Sequence, residues 1–168
     1  MKATLEKIES LRVSGLFDSY AIGGGIAHFY YIEAGTTYDL DVMVQMNVPT
    51  SGLISLGPIY EWAKKNGYEV SEEHIVIEGI PVQFLPAFNP IIVEAIENAE
   101  RVELFGVQTF IMKPEYLMTI MLDTYRAKDR ERLGQFMVYV PQAVNRFELL
   151  LKKFDLLDKY STFKKTIS

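Results

Sequence analysis

The chain has 168 residues, 49% of them hydrophobic and 23% charged, with a formal net charge of -5. That balance fits an ordinary soluble globule with one sizeable core, and it argues against indiscriminate coating of nucleic acid. The absence of cysteine excludes disulfides and thiolate chemistry and fits a reducing compartment. No signal peptide is visible and no apolar run approaches the roughly 18 residues of a membrane span, so a cytoplasmic location without a membrane partner is expected.

Leu5, Ile8 and Leu11 recur at helical spacing, which predicts a helix over 4–13. A strand follows over 20–23, then the glycine run Gly23-Gly24-Gly25 and a short helix over 26–31. Alternation predicts a strand over 38–45, and a helix over 54–65 stops at Asn66-Gly67. Strands over 68–70, 74–77 and 81–85 come next, the last two joined by a Glu78-Gly79 hairpin turn. Asn89-Pro90 opens a helix with the apolar stripe Ile92, Ala95, Ile96 and Ala99. Strands over 101–105 and 107–111 break at Gly106, and Pro114 starts a helix at its favoured first position. From Asp129 onward the pattern is wholly helical, with Leu133, Phe136, Met137 and Val140 on one stripe and Val144, Phe147, Leu151 and Phe154 on the next.

The chemistry concentrates in two places. Asp39 and Asp41 lie two residues apart, so on a strand they share a face roughly 7 Å apart while Leu40 and Val42 face a core. Two such anions repel unless a cation or water screens them. Mg²⁺ suits this spacing, because it commonly takes one or two carboxylates and completes its shell with water and phosphate oxygens. A solvated strand with two surface aspartates is the plainer alternative. Strand, Gly24-Gly25, then helix is likewise a layout in which backbone N–H groups face an anion, or else a hinge that allows tight packing. It matches neither the dinucleotide fingerprint nor a Walker A loop. His28 follows the glycines within reach of a phosphate, and Tyr125 precedes Arg126 where it could stack on a base. Two distant histidines without cysteine do not make a zinc site, and no Gly-x-Ser-x-Gly elbow is present.

Three motifs belong together: Gly24-Gly25-Ile26-Ala27; Thr37-Tyr38-Asp39-Leu40-Asp41-Val42; and Arg126-Ala127-Lys128-Asp129 after the apolar run from Tyr116 to Leu122. With them the chain resembles the nucleotidyltransferase superfamily, which has the DNA polymerase beta-like fold. The nearer resemblance is to the abortive-infection type nucleotidyltransferase-like toxin proteins. It implies an α+β fold, a mixed sheet flanked by helices with a helical C-terminal segment, divided into a core over 1–126 and an extension over 127–168 packed on it. It also implies metal-dependent transfer of a nucleoside monophosphate from a nucleoside triphosphate to an RNA or protein hydroxyl. Asp39 and Asp41 would be the catalytic residues and the ligands of Mg²⁺ or Mn²⁺. Gly24, Gly25, Thr37, Arg126 and Lys128 would bind the nucleotide, and a cognate antitoxin-like protein would be a further partner.

Three residues depart from the family pattern. Gly35 stands where many relatives have Arg, Gln83 where active members carry a third carboxylate, and Met121 where a Lys is common. A Gln amide adds no charge and is not a base at neutral pH. A second reading therefore stands beside the enzyme: a catalytically inactive member acting as a nucleotide-binding or protein-interaction module. Whether Glu69, Glu72 or Glu78 approaches the two aspartates discriminates between them.

Overall fold

Period-two alternation sets the central strand of the computed structural model, which describes residues 1–33, 37–47, 52 and 54–167. In β2 (Leu40–Gln45), Leu40, Val42 and Val44 are fully buried, while Asp41 and Gln45 point to the other face and are half-buried. β1 (Ser19–Ile22) pairs antiparallel with β2 on one side. β5 (Ile80–Pro86) pairs parallel with it on the other, placing Gln83 opposite Asp41 and Phe84 opposite Val42. β3 (Glu69–Ser71) and β4 (His74–Ile77) continue the sheet antiparallel beyond β5. At the far side β7 (Val107–Ile111) runs parallel to β1 and carries β6 (Glu100–Leu104) antiparallel. The result is a mixed seven-stranded sheet in the order β3-β4-β5-β2-β1-β7-β6.

The turns follow from local chemistry. Glu78-Gly79 and Phe105-Gly106 both have positive φ at their two central positions, the backbone that a two-residue hairpin requires. β2 starts at Leu40 rather than at Tyr38. In the parallel register the residue opposite Asp39 is Pro81, which has no N–H to extend the ladder. Asp39 instead leads into the strand, tied by its own side chain to Thr37.

The helices are α1 (Lys2–Val13), α2 (Gly24–Ile32), α3 (Gly57–Lys65), α4 (Pro90–Glu97), α5 (Pro114–Thr124), α6 (Ala127–Tyr139), α7 (Val144–Lys153) and α8 (Leu157–Lys164). α3 begins three residues later than the apolar pattern predicts, because Pro58 fits only the first turn and Ser55 Oγ accepts the Gly57 N–H at 3.0 Å. Asn89 caps α4 by accepting the Ile92 N–H at 2.9 Å. A short 3₁₀ turn, Pro141–Ala143, bends the chain between α6 and α7. α4 packs on β1 and β2, α1 on β7, and α5 carries α6, α7 and α8. One hydrophobic cluster runs from the sheet into the C-terminal helices, where Leu133, Phe136, Phe147 and Phe163 are fully buried. The architecture is α+β, a mixed sheet flanked by helices with a helical C-terminal segment. No helix among the described residues is long and apolar enough to cross a membrane.

The joint between α5 and α6 is held by one carboxylate. Asp129 is 3% exposed. It accepts from the Thr124 hydroxyl at 2.8 Å, from Arg126 Nε at 2.7 Å and from the Arg126 backbone N–H at 3.2 Å. Burial pushes its pKa up, but the hydrogen bonds from Arg126 and Thr124 outweigh burial and hold it below the ordinary carboxylate value. Its contribution to stability is therefore present above the unfolded pKa and is lost as pH falls through the depressed folded pKa. Asp129→Ala is expected to cost about 2 kcal/mol through loss of the cap and the buried bonds. In a chain of this size that lowers Tm by roughly 4–8 °C at pH 7. Thermal melts of variant and wild type should converge in acid, and an unchanged Tm at pH 7 would remove Asp129 from this role.

Candidate active site

β1 ends at Ile22, and the chain turns through Gly23 into α2 directly beside β2. The Gly23 N–H donates to the Asp41 carbonyl at 3.0 Å. Gly24 has φ +55, and a Cβ there would lie 1.6 Å from Asp41 Oδ2. A Cβ at Gly25 would lie 2.5 Å from Thr37 Oγ1. Neither position admits a side chain. The Gly25 N–H lies near the Asp41 carboxylate and favours its charged form, so the start of α2, with its outward N–H groups and positive dipole end, faces this acid.

Asp39 and Asp41 meet in a cleft of about 220 Å³ that Gly24 and Gln83 also line. Thr37 Oγ1 donates to Asp39 Oδ1 at 2.6 Å and fixes that carboxylate. Burial pushes the Asp41 pKa above the ordinary value and the neighbouring charge of Asp39 pushes it further, while Lys128, the Gly25 N–H and Arg132 pull it down. Burial is thus the main penalty on the charged form of Asp41, and the cations of the cleft offset it only in part. Met43, Met112, Leu117 and Met121 form an apolar wall, so Met121 stands in the cleft as an uncharged surface.

The cations come from α6. Lys128 and Arg132 both line the cleft and lie one helical turn apart on the same face. Among the described residues neither forms a salt bridge, and both act on Asp41. Arg126 also lines the cleft but commits Nε and Nη2 to Asp129, at 2.7 and 3.3 Å. Arg132 escapes the motif comparison, although its spacing of four from Lys128 is visible in the sequence. Gly35 lies outside the described residues.

Gln83 stands where the sequence places it, opposite Asp41 and lining the same cleft. Its amide nitrogen donates to Glu73 Oε2 at 2.6 Å, an acid that the motif comparison passes over. Of the three acids considered from sequence, Glu69 and Glu72 line an adjoining groove with Asp39, and Glu78 accepts from the Tyr68 hydroxyl at 3.0 Å. Among the described residues no group of three or more His, Asp or Glu is arranged to hold a metal ion. His28 is buried against Phe136, its Nε2 bonded to Gln135 at 2.7 Å, and braces α2 on α6. Tyr125 does not line the cleft, and its ring carries Arg130 and Lys159 at 5.1 and 5.5 Å.

No protein-family model matches this sequence, and no curated protein sequence matches it. Solved structures do share its fold. The antibiotic-resistance factor ANT(2'')-Ia in solution aligns with 16% identity and a TM-score of 0.53, over 96% of this chain and 97% of that one. ANT(2'')-Ia in complex with adenylyl-2''-tobramycin gives 14% identity and a TM-score of 0.55, over 97% and 96% of the two chains. An antigenic nucleotidyltransferase-like protein from Paracoccidioides brasiliensis gives 16% identity and a TM-score of 0.57, over 95% and 90%. The fold is that of nucleotidyltransferase-like proteins.

A carboxylate whose folded pKa is raised costs stability while it is ionised, and that cost disappears as pH falls and it protonates. Asp41→Asn removes the charge and keeps an oxygen for the Gly25 N–H. Without added metal, its Tm at pH 7 is expected to rise by roughly 2–4 °C, the effect of about 1 kcal/mol in a chain of this length. The difference from wild type should shrink on acidification. A lower Tm for Asp41→Asn at pH 7 would contradict the electrostatics of the cleft.

Proposed function

We propose that this protein transfers a nucleoside monophosphate from a nucleoside triphosphate to a hydroxyl group. The observation that carries this reading is Asp41 seated on the N-terminal turn of α2, with Asp39 beside it and Lys128 and Arg132 facing it. Two carboxylates in one cleft fit Mg²⁺ or Mn²⁺, which keep open positions for water and phosphate oxygens. Asp39 and Asp41 would hold the ion, which when bound neutralises phosphate charge and charge developing in the transition state.

The protein's own groups supply the rest. Thr37 orients Asp39. The backbone N–H groups at Gly24 and Gly25 can receive phosphate oxygens at close range, because no β-carbon stands in the way. Lys128 and Arg132 counter the charge of the triphosphate, Lys128 as a point charge and Arg132 as a fork. Arg126 acts mainly through Asp129, holding the start of α6 so that Lys128 points into the cleft. The methionine wall offers a nucleobase an adaptable apolar surface.

For the acceptor, RNA and protein hydroxyls remain candidates. The ANT(2'')-Ia structure with adenylyl-2''-tobramycin adds a small-molecule hydroxyl to them. Gln83 in place of a third acid favours a second reading, a module that binds metal–nucleotide without transferring it.

Calorimetric titration with each Mg²⁺–nucleoside triphosphate tests the binding step. Wild type should bind at least one nucleotide only when the divalent ion is present, and Asp41→Asn should lose that dependence. Lys128→Glu should weaken the affinity about tenfold or more, as expected for a lost charge-assisted contact, while Tm stays within about 2 °C. Intact affinity together with a large loss of stability would make Lys128 a structural residue.

A further inference from the structure

We propose that Glu73, on the turn between β3 and β4, is the general base that takes the proton of the acceptor hydroxyl. It supplies the carboxylate that Gln83 does not; the inference rests on the nucleotidyl-transfer reading above. Gln83 lies opposite Asp41 in the sheet and lines the cleft that also holds Asp39. Its amide can neither ionise nor accept a proton at neutral pH. It does, however, donate through Nε2 to Glu73 Oε2 at 2.6 Å, a short bond of the charge-assisted kind. The carboxylate is thereby held from a neighbouring hairpin against a residue that lines the cleft. One bond to Gln83 occupies one oxygen, and Oε1 keeps its lone pairs for a proton.

The surroundings of Glu73 point to the acceptor's path. A groove of about 690 Å³ adjoins the cleft and shares Asp39 and Arg132 with it. Glu72 and His74, the residues on either side of Glu73, both line this groove. Gln83, the hydrogen-bond partner of Glu73, lines the cleft. Glu73 itself is exposed and lines neither, but its bond to Gln83 and its two chain neighbours set its carboxylate between a residue of the cleft and residues of the groove. A nucleotide in the cleft and an acceptor in the groove bring the acceptor hydroxyl to the α-phosphorus at this junction.

The hydroxyl proton passes to Glu73 Oε1 while the acceptor oxygen forms a bond to the α-phosphorus. The bond from the α-phosphorus to the bridging oxygen breaks, and pyrophosphate leaves with that electron pair. Gln83 acts as a positioning residue that holds the base. The same arrangement removes the objection that a neutral residue at position 83 leaves the site without a proton acceptor.

The test uses the full chain, Mg²⁺ and α-labelled nucleoside triphosphates, with a total RNA pool, a protein pool and tobramycin as acceptor probes. Glu73→Gln can still accept from the Gln83 amide, so fold and Tm should be preserved. Its kcat should fall roughly 10²–10⁴-fold, the range for loss of a general base, while nucleotide affinity stays within about twofold. Adding Gln83→Asp to Glu73→Gln should restore at least about tenfold of that loss. Wild-type turnover by Glu73→Gln, or a loss that Gln83→Asp does not restore, overturns the proposal. So does a wild type that binds metal–nucleotide but labels none of the probes, which leaves the binding reading standing. Absence of metal-dependent nucleotide binding would overturn both.

Discussion

The N-terminal turn of α2 rests on the Asp41 side chain with no room for a β-carbon, and much of the site's geometry follows from that contact. The Gly23 N–H holds the Asp41 carbonyl at 3.0 Å, and the Gly25 N–H favours the charged form of its carboxylate. Backbone of one element and side chain of another are thereby locked at closest approach. Any side chain at Gly24 would drive α2 away from β2 and open the anion-facing turn. The contact also withdraws Asp41 from water, which raises its pKa and makes its charge, beside that of Asp39, costly to keep. A protein that keeps this cost places electrostatic demand where a cation and phosphates would relieve it.

The C-terminal helices complete the balance. Asp129 ties the end of α5 to the start of α6, and Lys128, one residue earlier, enters the cleft with Arg132 one turn later. The Arg-x-Lys-Asp segment thus divides its labour. Arg126 and Asp129 build the joint, and Lys128 carries the charge to the cleft. His28 bonded to Gln135, and packed on Phe136, fixes α6 against α2 from the other end. Positive and negative walls are held at a set distance by buried contacts, which lowers the reorganisation a charged ligand would require.

What could be read from the sequence was local. The alternation of Asp39-Leu40-Asp41-Val42, the glycine turn, the hairpin at Glu78-Gly79 and the proline at the start of α5 each encode their geometry within a few residues. The parallel partnership of β2 with β5 is long-range, yet Gln83 was placed opposite the aspartates through motif resemblance. Four features escape such a reading. The start of β2 depends on Pro81, forty residues away, having no N–H to offer. Asp129 looks in sequence like part of a basic turn rather than a buried cap, since its partner Thr124 lies across a helix boundary. Glu73 reaches Gln83 only because β4 pairs with β5 and sets His74 opposite Gln83, a register that local spacing does not encode. Arg132 was legible at four residues from Lys128, but a charge run that solvent could absorb hid it.

The central claim is that Asp39 and Asp41, seated against the Gly24-Gly25 turn, form a divalent-metal site for a nucleotide. Titration of the isotopically labelled protein with Mn²⁺, followed by amide NMR spectra, tests it most directly. The account predicts that signals of Gly24, Gly25, Asp39 and Asp41 broaden first and at the lowest Mn²⁺ concentration, with Gln83 close behind. Asp41→Asn should abolish that selectivity. Broadening that begins at the acidic β3–β4 hairpin, or spreads evenly over the surface while the amides of the glycine turn stay sharp, would contradict it.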